Sequence, residues 1–241
     1  MDYIIQTWNN RDLTPLLKNE IDLILIKNAP PSQLKLFKFL TTYYDIAPQD
    51  PMDKIFLDIP LTGEHHDLYG NTDLEWHIDK GYTQHPVNVT GLYALEAEGD
   101  IGRTLYVDNR IECPIPNKKI TVDMDRFTSD ERYGYKFRTE AERRWFRRKH
   151  NNVWHDLIQK DQRGEFIYYC EAYTELPKEE KEAIEKKLYD PGRIYYHEWE
   201  KGDFVVTNNI TTNHKREISR EGRRHLWKIE GYNKVELTED W

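Results

Sequence analysis

The stretch Leu74-Glu75-Trp76-His77-Ile78-Asp79-Lys80-Gly81-Tyr82 sets the reading of the whole chain. It is a short apolar and aromatic run closed by a glycine, which reads as a strand entering a turn. Side chains i and i+2 of a strand project from one face, so His77 and Asp79 can reach one metal ion while Ile78 points the other way. Such a pair needs a third ligand. His214 is the candidate, because it follows Gly202-Asp203-Phe204-Val205-Val206-Thr207-Asn208-Asn209, a turn and strand able to run beside the first. Two imidazoles and a carboxylate on one side of a metal leave the opposite positions open, an arrangement used for oxygen and an organic co-substrate. HxD alone is common by chance, and most of the 9 histidines in a chain of this size belong on the surface or satisfied in the core, so context decides.

Working outward, the pattern around this stretch is that of a sheet. Val87 to Leu95 and Arg103 to Val107 are extended runs punctuated by Gly81, Gly91, Gly99 and Gly102. Upstream, Ile21 to Ile26 reads as a strand, and Gln33 to Tyr44 as an amphipathic helix carrying Leu34, Leu36, Phe37, Phe39 and Leu40. The charged middle reads as helix from Ser129 to His155 and again from Pro177 to Leu188. Strands then return at Arg193 to Trp199, Phe204 to Thr207 and His225 to Gly231. Strands on both sides of a largely helical insertion at about 125–190 predict one closed or sandwiched β core with helices outside it.

The bulk numbers fit one domain spanning 1–241. Aromatic content of 13% is too high for a disordered chain. With 43 acidic against 35 basic residues, net charge is -8, which disfavours a protein whose affinity comes from neutralising phosphates. Cys113 and Cys170 form no CxxC pair, so neither a thiolate site nor a disulfide framework is expected. The N-terminus lacks a basic then apolar leader, and no apolar run reaches the roughly 18 residues of a membrane helix, so a cytoplasmic protein without membrane partners is expected. On that expectation the sequons at Asn88 and Asn209 are chance matches.

Three stretches together resemble the taurine dioxygenase family, within the clavaminate-synthase-like group of iron(II) and 2-oxoglutarate oxygenases. They are LEWHIDKGY at 74–82, LYALEAEGDIGRTLYVDN at 92–109, and GDFVVTNNITTNHKR with GRRHLWKIEG between 202 and 231. The resemblance implies a double-stranded β-helix (jelly-roll, cupin-like) core with flanking helices, iron(II) on His77, Asp79 and His214, and 2-oxoglutarate and O2 as co-substrates. It implies that Thr104, in a Gly-x-Thr turn, and Arg224, ten residues beyond His214, hold the co-substrate. A planar guanidinium can hold both oxygens of a carboxylate, with a hydroxyl completing the anchor. Arg223 takes this place if the strand register is shifted by one. The sequence departs from the family at Asn208, where Asp is usual, and at Arg103, which replaces an acidic residue. Family members that halogenate generally lose the HxD carboxylate; Asp79 is retained, so hydroxylation with release of succinate and CO2 is the implied outcome.

By the same resemblance Lys228, four residues after Arg224, anchors an anionic group of the prime substrate, and Asp73 meets an ammonium. Together they suit a small zwitterion such as an amino acid, against the plainer reading of two salt bridges. Tyr93 and Trp76 border the predicted site, Trp76 on the face suited to core packing. His65-His66 lie in a loop that forms a pocket lid in the family, although a solvated loop is the stronger reading. The basic run Arg143 to Lys149 suits a solvated helix face better than a nucleic-acid surface. Two other classes compete: a zinc hydrolase on the same ligands, which needs a nearby base, and a non-catalytic cupin-like binding protein.

Overall fold

The structure, a computed structural model, describes residues 1–48, 54–60, 74–129, 139–150, 153–218 and 221–234. In chain order its first strands are β1 (Tyr3–Thr7), β2 (Leu23–Lys27), β3 (Tyr44–Ala47), β4 (Leu57–Pro60), β5 (Leu74–His77), β6 (Val89–Asp100) and β7 (Thr104–Asp108). A middle group follows: β8 (Lys119–Val122), β9 (Trp154–Asp156), β10 (Ile158–Asp161), β11 (Gly164–Ile167) and β12 (Thr174–Glu175). The last are β13 (Tyr195–His197), β14 (Phe204–Asn208), β15 (Thr212–Arg216) and β16 (Glu221–Asn233). The helices are α1 (Thr14–Leu17), α2 (Gln33–Leu40), α3 (Met124–Ser129), α4 (Glu140–Lys149) and α5 (Lys178–Leu188).

Two sheets make the core. The larger runs β1-β2-β14-β6-β16-β3 with β4 also on β16, and the smaller runs β13-β7-β15-β5. Alternation along each strand assigns every side chain to a layer. Leu23, Leu25, Leu92, Ala94, Val205 and Leu226 of the larger sheet meet Tyr106 of the smaller in the interior between them. The opposite face of the larger sheet, with Ile24, Ile26, Tyr93, Phe204 and Val206, is covered by Leu13, Leu16, Leu36 and Phe39. The outer face of the smaller sheet, with Trp76, Leu105 and Val107, is covered by Ile120, Phe127, Phe146, Ile167, Ile184 and Leu188 of the middle segment. This is the jelly-roll core with helices outside that the resemblance implies.

Three expectations need correction. The helix expected to Tyr44 ends at Leu40, because Thr41 and Thr42 donate their hydroxyls back to the Lys38 carbonyl (3.1 and 3.2 Å) and the chain turns into β3. The helix expected to His155 is α4, framed by a Thr139/Glu142 capping box, and ends at Lys149. His155 lies on β9, paired with Ile120, so strand pairing overrides the helical pattern there and the middle segment mixes helices with short strands. Finally, Phe204 to Thr207 does not run beside the HxD strand. β14 pairs with β2 and β6 in the larger sheet, and the chain changes sheets at a turn where the Asn208 side chain accepts from the Ile210 and Thr211 N–H groups (3.2 and 3.4 Å). It is β15 that lies against β5, with His214 directly opposite His77. Among the described residues no helix is long and apolar enough to cross a membrane.

Candidate metal centre and co-substrate cavity

His77 is the last residue of β5, and Asp79 follows in a turn rather than on the strand itself, with Lys80 at φ 53. The turn nonetheless aims both at one point because its backbone is held by three side chains. Asn209, buried, accepts from the Asp79 N–H (2.9 Å) and donates to the carbonyls of Asp79 (2.9 Å) and Val87 (2.8 Å). Tyr173 donates to the Ile78 carbonyl (2.7 Å), and the Ile78 N–H points at the Cys170 sulfur (3.3 Å). Nδ1 of His77 lies 2.7 Å from the Glu75 carbonyl, which commits Nε2 to the cavity. His214 Nε2 is 3.6 Å from Asp79 Oδ2, the two imidazoles are 4.2 Å apart, and one ligand atom from each of the three residues lies within 4.8 Å of the others.

The electrostatics suit a cation. Burial, reinforced by His77, pulls the His214 imidazole down to about 3, and burial likewise lowers His77, so both are neutral and able to ligate at physiological pH. Burial alone would raise Asp79, but Lys228 Nζ, 2.8 Å from Oδ1, together with His214 and His77 outweighs it and keeps the carboxylate ionised well below its ordinary range. Thr90 donates to Oδ2 (3.1 Å). Lys228 also pairs with buried Glu230 (2.7 Å), which Lys80 meets from the other side at 3.1 Å. One carboxylate and two neutral imidazoles on a single side of a cavity match the donor set and softness of iron(II).

The same cavity is lined by Leu57, Ile59, Leu74, Leu92, Thr104, Arg216, Arg224, Leu226 and Lys228. Strand register sorts the polar side chains of the smaller sheet's inner face into two rows. His77, His214 and Tyr106 lie side by side across β5, β15 and β7, and Arg216, Thr104 and His197 lie side by side across β15, β7 and β13. The rows are two residues apart, about 7 Å along the strands. Arg224 enters the second row from β16, with Nη2 3.3 Å from Thr104 Oγ1, while its buried Nε–H meets no acceptor among the described residues. Burial, and then Arg216, lower this guanidinium to about 9, still charged at neutral pH. Arg223 points outward and pairs with Glu98 on the surface, so the register places Arg224 inside, with Leu226 and Lys228 on its face as the alternation predicts.

Other expected residues fall elsewhere. Trp76 packs in the outer layer against Tyr189, rings 4.7 Å apart and parallel within 7°, as its strand face predicts. Tyr93 does not border the cavity: the strand carries it to the opposite face, where it stacks on Trp227 and its hydroxyl lies 3.3 Å from the Ala29 carbonyl. Cys113 and Cys170 are free thiols, the latter buried and pushed up to about 12 by that burial. Asp73, His65 and His66 lie outside the described residues. Arg216 was missed; it stands two residues after His214 on β15, where strand alternation would have put it in the cavity. A larger groove of about 960 Å³ opens on the outer face of the smaller sheet, but it holds none of the ligating atoms, so the chemistry locates the site in the inner cavity.

A family model, the taurine catabolism dioxygenase TauD, TfdA family, matches residues 16–229. The chain belongs to that family. It is thereby an iron(II)- and 2-oxoglutarate-dependent dioxygenase, which sets aside the zinc-hydrolase and binding-protein readings. Among solved structures, the dioxygenase shares a fold with PvcB, an Fe, alpha-ketoglutarate dependent oxygenase from an isonitrile synthetic pathway (17% identity, 95% of this chain and 84% of that one, TM-score 0.63). It is similarly related to AAD-2 in complex with Mn(II) and N-oxalylglycine (14%, 95% and 92%, 0.68). A third is the non-heme iron oxygenase OrfP in complex with Fe, succinate and (3S)-hydroxy-L-Arg (14%, 91% and 79%, 0.64). Among curated proteins, isocyanide synthase A of Aspergillus fumigatus is 35% identical over 48 residues, 20% of this chain but only 8% of that much longer protein.

Proposed function

We propose that the dioxygenase hydroxylates a small zwitterionic, amino-acid-like substrate, with iron(II) on His77, Asp79 and His214 and 2-oxoglutarate on Thr104 and Arg224. The observation that carries the site assignment is the two-row cavity. A metal-ligating set and a guanidinium with an unfilled buried N–H face the same space, about 7 Å apart, a separation suited to a five-carbon dianion bound at both ends. Bound there, iron(II) with the co-substrate and O2 supplies the oxidising power to take a hydrogen atom from a carbon, with succinate and CO2 as co-products.

The protein's own part is placement. Arg224 and Thr104 fix the far carboxylate, Asn209 and Lys228 fix Asp79, and Leu57, Ile59, Leu74, Leu92 and Leu226 keep the cavity dry. An ammonium has three donors, and Lys228 places two on Asp79 and Glu230; the third is assigned to an acidic group of the substrate, with Asp73 as partner for its ammonium. Support for an amino-acid substrate comes from OrfP, whose structure holds (3S)-hydroxy-L-Arg. The test is an anaerobic titration: iron(II) plus 2-oxoglutarate should give a weak visible charge-transfer band, and amino acids and their derivatives should then stimulate succinate formation. A fully metal-loaded protein without the band would overturn the assignment, and stimulation confined to sulfonates or nucleosides would overturn the substrate class.

A further inference from the structure

The anchor row contains a hydrogen-bond arrangement whose sense is fixed by a residue outside the cavity. Trp199 lies just beyond β13, and its indole Nε1–H donates to Thr104 Oγ1 at 2.8 Å. Arg224 Nη2 approaches the same oxygen at 3.3 Å. A hydroxyl carries two lone pairs and one proton. With a donor on each lone pair, Thr104 has only its proton left to give, and among the described residues it gives that proton to nothing. An indole N–H cannot accept, so Trp199 can never take that proton, whereas a hydroxyl or amide in its place could exchange roles with Thr104. Thr104 is thereby set as a donor, the sense an incoming carboxylate requires.

The tryptophan is itself held. It is 7% exposed, and its ring stands edge-on to His197 (4.4 Å, 86°), the residue opposite Thr104 in the strand register. The turn that follows is tied by Asp203, which accepts from the Glu200 N–H (3.0 Å) and pairs with Lys27 (2.6 Å) and His197 (3.4 Å). Thr104 is buried at 2% exposure, so water does not compete for its lone pairs.

We infer that Trp199 is a positioning residue for co-substrate binding, acting through Thr104 to present one hydroxyl proton to the distal carboxylate of 2-oxoglutarate. The inference rests on the assignment of Thr104 and Arg224 as the co-substrate anchor. Its test uses Mn(II) in place of iron, so that nothing turns over, and calorimetry to read the dissociation constant of 2-oxoglutarate. W199F should weaken binding by about fivefold to tenfold, the effect of one oriented hydrogen bond, with Mn(II) affinity unchanged. T104V should weaken it at least as much, and W199F/T104V should be no weaker than T104V alone, since the tryptophan acts through the hydroxyl. Unchanged affinity in W199F, or a double variant in which the two losses multiply, overturns the inference while leaving the anchor intact. A wild-type protein that does not bind 2-oxoglutarate overturns the anchor and the inference with it. A second measurement needs no change at Trp199. In the 15N-labelled protein loaded with Zn(II), the indole N–H resonance displaced by T104V should move when 2-oxoglutarate is added to wild type, and a stationary resonance overturns the inference even if W199F does not fold.

Discussion

The two rows of the cavity are built on opposite principles. At the proposed metal row the support is already built behind Asp79 and His77: Asn209 and Tyr173 hold the turn, Thr90 and Lys228 occupy the oxygens of Asp79, and the Glu75 carbonyl meets Nδ1 of His77. At the anchor row the donors wait, with the Arg224 Nε–H and the Thr104 proton both without an acceptor among the described residues. The difference fits what each end is proposed to receive. A metal needs its ligands at set distances and angles, which demands support behind them, whereas a carboxylate brings its own acceptors and needs donors left free.

The comparison breaks most visibly at the ligands. H77A, D79A and H214A should each abolish iron-dependent succinate formation while the thermal melt of the metal-free protein stays cooperative, because the β core does not depend on the metal. Retained turnover in all three would refute the triad. N209A attacks the support behind them. It strips three hydrogen bonds from buried backbone groups, so a loss of about 2–4 kcal/mol in chemical denaturation and a tenfold to hundredfold weaker metal affinity are expected. Metal affinity equal to wild type would mean that the turn holds itself.

At the other row, R224M should raise the KM for 2-oxoglutarate by roughly 10- to 100-fold, the value of a charge-assisted pair, with metal affinity unchanged; R223M should change neither. Lys228 both supports Asp79 and is the proposed anchor of the prime substrate, and K228M separates these two roles once a substrate is in hand. A rise in KM for the prime substrate with intact 2-oxoglutarate binding supports the anchor, and an unchanged KM with weakened metal binding leaves only the support of Asp79.

The last expected effect is a pH dependence. His214 is held near 3 and His77 is also lowered, both by burial, whereas unfolded histidines protonate near 6.5. The unfolded chain therefore binds more protons as pH falls below about 6.5. The stability of the metal-free protein should be full above that value and decline toward pH 3, by up to about 1.4 kcal/mol per pH unit for His214. Denaturation curves at pH 7.5, 6.0 and 5.0 check this, and a slope unchanged in H214A would assign the loss to other groups.

Much of this was legible because it rests on alternation. The placing of Arg224 against Arg223, of Trp76 in the outer layer, and of Leu226 and Lys228 beside Arg224 all follow from period two on a strand. Tyr93 obeys the same rule, since its strand face carries it away from the cavity to Trp227. The end of α4 was not legible, since the pairing of β9 with β8 is a contact between residues far apart in the chain that no local pattern announces.

By itself the sequence determined which side chains can ligate a metal and clamp a carboxylate, and the strand periodicity that puts each on a given face. Only the tertiary structure decided that β15, rather than β14, carries His214 to His77, that Asn209 grips the Asp79 turn, and that Trp199 reaches Thr104. The physical reason is that face is a local property of backbone geometry, whereas neighbourhood between strands depends on how the chain changes sheets, and here that happens at one short turn after Asn208.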